Sequence, residues 1–239
     1  PEAGMADYRL YAGKPVVIKP KSTNFGLGIT ILKHNYDETD FKAALQIAFE
    51  HDNTVLIEKF IPGREFRIFI INDEVVGILH RVPANVTGDG VLNIGQLIDR
   101  KNEDPLRGKG YRTPLEKIRK GREEEMFLKQ QGMDFNTVPK EREVVYLREN
   151  SNISTGGDSI DFTDDIDDSY KAIAVEAAKA LNVKITGLDM MIQDIHAPAT
   201  PDNYAIIEMN FNPAIHIHCY PFKGKNRHLN HKMIKALGF

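Results

Sequence analysis

Three oxygen-bearing side chains in the C-terminal third have types and spacing that suit chemistry. Asp189 is the lone carboxylate in the apolar run Gly187-Leu188-Asp189-Met190-Met191-Ile192, and the segment Ile206-Ile207-Glu208-Met209-Asn210-Phe211-Asn212-Pro213 follows it. Alternate side chains of a strand point the same way, so Glu208 and Asn210 share one face about 7 Å apart. With Asp189 on a neighbouring strand, the three would make an oxygen-only cluster. Such donors suit a hard divalent cation such as Mg2+, which commonly arrives with phosphates rather than in an all-protein cage. The chemistry expected is that of a nucleotide. A polar face on an exposed sheet is the structural alternative, although an unpaired carboxylate buried after Ala205-Ile206-Ile207 would be costly.

Other segments add weaker signals. Lys19 closes the apolar run Pro15-Val16-Val17-Ile18-Lys19-Pro20 and precedes a loop with Ser22, Thr23, Gly26 and Gly28. Loop N–H groups beside a fixed cation are what a polyphosphate needs. No Walker A spacing is present, and taken alone the loop reads first as an ordinary hairpin turn. Glu58-Lys59-Phe60-Ile61 ends a strand before Pro62-Gly63. Its backbone could pair with an adenine edge and Glu65 could accept from ribose hydroxyls, or the segment is a solvated charged turn. Arg67 faces the same way as Glu65, so a salt bridge between them is the structural reading.

Arg81 and the loop Asn152-Ile153-Ser154-Thr155-Gly156-Gly157 are candidates for the acceptor and a transferred phosphoryl group, because hydroxyls and glycine N–H groups stabilise a developing oxyanion. A Ser/Thr-capped surface loop fits equally well. Asp89, Asp104 and Arg107 sit in turn-forming pairs, with Arg107 also a candidate for a substrate carboxylate. His216 and His218 alternate onto one strand face but lack a third nitrogen or thiolate ligand, so packing or substrate contact is expected. Cys219 has no evident activating partner.

The elements that must position these groups follow from periodicity. Strands are expected at 15–20, 29–32, 54–60, 65–71, 75–82, 144–148, 185–192 and 204–211, with Asn72-Asp73 as a hairpin turn. Helices are expected from Thr39, where Phe41, Ala44, Leu45, Ala48 and Phe49 form a stripe, near 94–102, and around 228–237. A further helix places Ile166, Tyr170, Ile173, Ala174, Ala177, Ala178 and Leu181 on one face, with Asp164, Asp165, Asp167 and Asp168 at its positive end. Hairpins together with crossovers argue for an α+β fold. The 239 residues suit one large domain or two small ones. A net charge of −3 and 41% hydrophobic content leave no footprint for nucleic acid or membrane. No apolar run reaches the ~20 residues of a membrane span, and a single cysteine suits a reducing compartment, with the cytoplasm as the expected location.

In order along the chain, the strand-borne lysine, the Gly-rich loop, Glu-Lys-Phe-Ile with a second glutamate seven residues on, the isolated aspartate and the Glu-x-Asn strand together resemble the ATP-grasp ligases. Arg81-Val82-Pro83-Ala84-Asn85-Val86-Thr87-Gly88-Asp89-Gly90, Asn102-Glu103-Asp104-Pro105-Leu106-Arg107-Gly108 and Asn152 to Gly157 resemble one branch. It holds the C-terminal module of bifunctional glutamate–cysteine ligase/glutathione synthetases and the ATP-grasp module of cyanophycin synthetases. Asn210-Phe211-Asn212-Pro213-Ala214-Ile215-His216-Ile217-His218 is closer to the former.

This resemblance implies an ATP-grasp fold with two subdomains clasping ATP, a truncated lid at 1–75 and a metal- and substrate-binding part at 76–239. It implies ATP with Mg2+ or Mn2+ as cofactors. Lys19 and the loop with Ser22, Gly26 and Gly28 would contact phosphates, Glu58, Lys59, Phe60 and Ile61 adenine, and Glu65 ribose. Asp189, Glu208 and Asn210 would bind metal, while Lys19, Arg81, Asn152, Ser154 and Thr155 would serve catalysis. The implied reaction joins γ-glutamylcysteine to glycine through an acylphosphate, in a chain linked to a glutamate–cysteine ligase domain, with a homodimer left open. A domain cut from a longer protein, and inactive alone, is the corresponding expectation. A cyanophycin-type peptide ligase and a non-catalytic ATP-binding regulatory module are the alternatives.

Overall fold

The computed structural model describes residues 8–23, 27–33 and 35–239, and the chain divides into two compact units, Pro1–Pro62 and Gly63–Phe239. In the first unit, helix α1 (Tyr8–Tyr11) precedes β1 (Val16–Pro20), β2 (Thr30–Leu32), α2 (Glu38–Phe49) and β3 (Val55–Lys59). The strands form an antiparallel sheet in the order β2-β1-β3. Asp37 caps α2 by accepting from the N–H groups of Thr39 and Asp40, and the Asp40 carboxylate returns the bond, which satisfies N–H groups that the first turn cannot pair internally. The α2 stripe closes on the sheet: Phe41, Ala44, Leu45 and Ala48 bury themselves against Val16 and Ile18.

The second unit is built on β4 (Arg64–Ile71), β5 (Glu74–Val82), β10 (Asp158–Asp161), β11 (Ile185–Ile192) and β12 (Tyr204–Asn210). These lie in the order β10-β5-β4-β11-β12, each pair antiparallel. Asn72 and Asp73 turn the β4–β5 hairpin with φ of 47° and 64°, the left-handed pair that a two-residue turn needs to match strand twist. A division after Val75 would cut this ladder. The boundary falls at Pro62 instead, because β4 and β5 share their hydrogen bonds from Phe66–His80 to Ile71–Glu74.

Helix α5 (Asp168–Ala180) covers one face of the sheet, packing Tyr170, Ala174 and Ala178 on Phe66, Ile68, Ile70, Ile78, Leu188 and Met190. Leu181, expected on that stripe, is 61% exposed just past the helix end. Ile166 is buried but precedes the helix. At one end of the other face, α6 (His216–Cys219) and α7 (Leu229–Ala236) cover Phe69, Ile71 and Val76 with Cys219 and Leu229.

Residues 84–147 close a core of their own from β6 (Asn85–Thr87), α3 (Ile94–Lys101), β7 (Arg107–Gly108), β8 (Leu115–Glu116), α4 (Arg122–Gln130) and β9 (Val144–Tyr146). Helix α4 was not expected: it opens Arg-Glu-Glu-Glu and buries only Glu124 and Leu128. Among the described residues, no helix is long and apolar enough to cross a membrane.

Ile68 is fully buried at the centre of the main sheet. Ile68→Ala should lower the unfolding free energy by about 2–5 kcal/mol and Ile68→Val by about 0.5–1.5 kcal/mol, measured by urea denaturation.

Candidate functional site

On the face of the main sheet that α5 leaves free, charged groups replace the apolar core. Asp189 stands opposite Arg67 on one side and Glu208 on the other. Its side chain is only 2% exposed. Arg67 grips both carboxylate oxygens, Nε pairing with Oδ1 and Nη2 with Oδ2 at 2.8 Å. Arg81, reaching from β5, adds a bond from Nη2 to Oδ2 at 3.0 Å and also pairs with Glu65. Ser151 donates its hydroxyl to the other Glu65 oxygen at 2.5 Å. Burial alone would raise the Asp189 pKa. The Arg67 bonds and the nearby Arg81 charge outweigh it and hold the carboxyl below its ordinary value.

Glu208 stands directly across from Asp189 on the paired strand, and Asn210 donates to Glu208 Oε1 at 3.0 Å. The three residues expected as a cluster therefore adjoin on two paired strands. Glu65, Asp189 and Glu208 set three carboxylates against two guanidiniums, which leaves one negative charge unbalanced. A divalent cation would reverse that sign and favour an anion. The donors are all oxygen, and among the described residues the Asn210 side-chain Oδ1 accepts no hydrogen bond while its amide nitrogen donates to Glu208, so the set fits Mg2+ that brings phosphate oxygens of its own. Arg81 Nε is buried without a partner among the described residues, a donor still available to a ligand oxygen.

Two members of this array were not expected. Arg67 bonds across strands to Asp189 instead of along its own strand to Glu65; its alternation with Glu65 was the visible signal. Gly187 had no signal. A Cβ there would lie 2.7 Å from Pro213 Cβ and 3.0 Å from Arg67 Cδ, so the bare backbone is what lets the arginine stem lie across β11.

The expected loop residues behave differently. Thr155 Oγ1 is spent within its own turn, on Asn150 Oδ1 and the Asn152 carbonyl, both at 2.8 Å. Ile153–Thr155, including Ser154, form a single 3-10 turn. Ser151, not one of the residues singled out, is the one that touches the array. Arg107 does not present itself to a substrate: it is buried, pairs with Asp158, and donates to the Glu116 and Gly156 carbonyls at 2.9 and 3.0 Å. Asp89 and Asp104 accept backbone N–H groups in their own turns.

In the first unit, Lys19 on β1 pairs with Glu58 on β3 at 2.7 Å. Ser22 N–H donates to Asp52 at 2.8 Å. Gly28 has φ of 78°, and a Cβ there would stand 2.7 Å from His51 Cδ2. Gly26 lies outside the described residues. Phe60 N–H donates to the Pro15 carbonyl at 3.0 Å, and Lys33 Nζ lies 5.6 Å from the Phe60 ring centre. Lys59 is exposed and Ile61 half-buried.

His216 and His218 are not on a strand. Asn212-Pro213 ends β12, and both residues fall in α6. His216 is exposed, whereas His218 is fully buried beneath Phe69, with ring centres 5.4 Å apart. Neither His218 ring nitrogen has a partner among the described residues, and burial, helped by Arg67, pushes its pKa down to about 3. Among the described residues no three His, Cys, Asp or Glu side chains converge as a metal site; the Asp189 cluster has two carboxylates and an amide.

The antiparallel main sheet, the helices flanking it and the charged face just described define an ATP-grasp domain. The D-Ala-D-Ala ligase C-terminus family matches residues 5–93. The glutathione biosynthesis bifunctional protein GshAB of Desulfotalea psychrophila is 62% identical over the whole chain, and that of Clostridium perfringens is 57% identical over 97% of it. A crystal structure of a bifunctional glutathione synthetase from Pasteurella multocida superposes with a TM-score of 0.74 at 47% identity over 99% of the chain. Over nearly its whole length the chain is similar to one part of these bifunctional proteins. It spans 31% and 30% of the length of the first two relatives and 32% of the third.

The unfolded chain protonates His218 near pH 6.5 and the folded chain only near 3. The stability at stake is complete above about 6.5 and is lost as pH falls toward 3. His218→Leu should make denaturant stability fall less steeply across that range, and be neutral or better at pH 8 because two unpaired buried nitrogens are removed. Arg67→Met removes what holds the Asp189 carboxyl down, so the variant should be less stable than the parent at pH 7 but lose less stability as pH falls through the carboxylate range, read by the same titration.

Proposed function

We propose that this chain is an ATP-dependent carboxylate–amine ligase that joins γ-glutamylcysteine to glycine. In this reading the cysteine carboxylate takes the γ-phosphoryl group of ATP, the glycine amine attacks the resulting acylphosphate, and phosphate leaves with formation of the amide. ADP, phosphate and glutathione are the products. What supports the reading most is one observation: a buried carboxylate held by two arginines, adjoining Glu208 and Asn210, in a chain 62% identical to a glutathione biosynthesis protein.

Each side chain has a task in that scheme. Asp189, Glu208 and Asn210 would hold Mg2+ or Mn2+, which supplies charge neutralisation and alignment of phosphate oxygens. Arg67 keeps Asp189 ionised and oriented. Arg81 has a free Nε and an undeprotonatable guanidinium, so it can meet negative charge as it grows on the transferring group. Glu65 steers Arg81 and would accept from ribose hydroxyls. Lys19, freed from Glu58, would meet phosphate, with Ser22, Gly26 and Gly28 in the loop that follows it; Glu58 to Ile61 would take the adenine edge. The loop at Asn152, Ser154 and Thr155 would border the acceptor. No nucleophilic side chain is needed. A covalently linked glutamate–cysteine ligase domain would supply the dipeptide, and a reducing, cytoplasmic setting suits that thiol.

The test is ADP release by the full-length polypeptide with ATP, Mg2+, γ-glutamylcysteine and glycine, with glutathione quantified alongside. Arg81→Met should lower kcat by about 10²-fold or more while the circular dichroism spectrum is kept. ADP formed only with aspartate or arginine oligomers would replace this reading with the cyanophycin-type one. Tight ATP binding without any release would leave a regulatory module.

A further inference from the structure

The opposite face of the same sheet carries a cavity that the chemistry above does not use. It is an open depression of about 660 Å³ between the ends of β4, β5 and β10 and the segment holding α3, β6 and β9. Strand alternation separates it from the charged array: Arg64 and His80 line the cavity, while their neighbours Glu65 and Arg81 belong to the array. A ligand here is therefore not one held at Asp189.

The polar wall is cationic. Lys101 shares the Asp158 carboxylate with Arg107, which is not itself on the wall, and Arg100 is matched by Asp89. Arg64 has no carboxylate partner among the described residues; its guanidinium rests 5.5 and 5.4 Å from the ring centres of Phe66 and Phe162. His80 Nδ1 lies 3.0 Å from the Glu65 carbonyl oxygen. That oxygen can only accept, so the proton sits on Nδ1. Burial, and then Arg64, push the His80 pKa down to about 4, so the ring is neutral at pH 7. Asn85 and Thr87 add neutral polar groups, and Val82, Tyr146, Phe162 and Phe222 give the wall an apolar and aromatic part. A concave site with one uncompensated guanidinium and an aromatic lining suits a small anion with a flat apolar body.

We propose that this cavity is a second, effector-type site for a small organic carboxylate. The carboxylate pairs with Arg64 and the apolar body lies against Phe162 and Phe222. Binding stands independently of the ligase reading; only an effect on turnover rests on it. That effect has a short route. A ligand that draws Arg64 from its rings acts on the residue next to Glu65, and His80 holds the Glu65 carbonyl from the neighbouring strand.

The experiment uses the full chain labelled with 15N-histidine. The His80 imidazole signals, assigned by His80→Gln, are followed during titration with phenylacetate or with phenylethylammonium, a cation of similar shape. Saturable movement of His80 with phenylacetate alone is expected, with the affinity lowered about tenfold or more in Arg64→Gln, the loss of one charge-assisted contact. No saturable shift, an equal response to the ammonium compound, or unchanged affinity in a folded Arg64→Gln would overturn the proposal. Should that variant lose its dispersed spectrum, the contrast between acid and ammonium in the parent chain decides.

Discussion

Asp189 is an ionised carboxylate in the middle of a sheet, almost sealed from water, and most of the polar architecture answers to that fact. A charge so placed is tolerated only when partners surround it. Arg67 supplies a two-pronged contact from the adjacent strand and Arg81 a third bond from one strand further. Arg81 then needs a counter-charge, which Glu65 supplies, and Glu65 is itself fixed by Ser151. Buried ion arrays of this kind are rarely more stable than apolar packing of the same volume. Stability is therefore a poor reason for the array, and handling a charged ligand is a better one.

The two arginines are not equivalent. Arg67 spends its guanidinium on both oxygens of one carboxylate and lies over the bare backbone of Gly187, which fits a fixed support. Arg81 divides itself between two carboxylates and keeps a buried N–H unused. A donor without a partner in a closed, low-dielectric place is costly until a ligand oxygen meets it, and worth more than in water once one does.

The sequence exposed what local periodicity controls. Alternation along 185–192 and 204–211 showed which side chains share a face, and the observed pairing of the two strands then sets Asp189 beside Glu208 and Asn210, while the Asn72-Asp73 pair was enough to close the hairpin. Contacts without a local signature were hidden. Arg67 meets Asp189 across 122 residues, so nothing near either residue announces the pair. Strands of two residues such as β7 and β8, or a helix of four such as α6, are too short to show a period. The two histidines of α6 were read as a strand for that reason. Helix α4 was obscured by its run of glutamates, because it buries one face of only two residues.

The sheet makes core and charged face depend on each other. Leu188, Met190 and Ile192 are packed under α5, which forces Gly187, Asp189 and Met191 to the other side. A slip of one residue would drive Asp189 into Tyr170 and expose Leu188, a double penalty that fixes the register. The same register puts Arg67 and Glu208 directly opposite Asp189. The apolar cover of α6 and α7 stops short of these residues, because Phe69, Ile71, Cys219 and Leu229 close only one end of that face. Residues that never touch a charge therefore decide where the charges stand, and a change confined to the apolar layer would be felt first as a misplaced carboxylate.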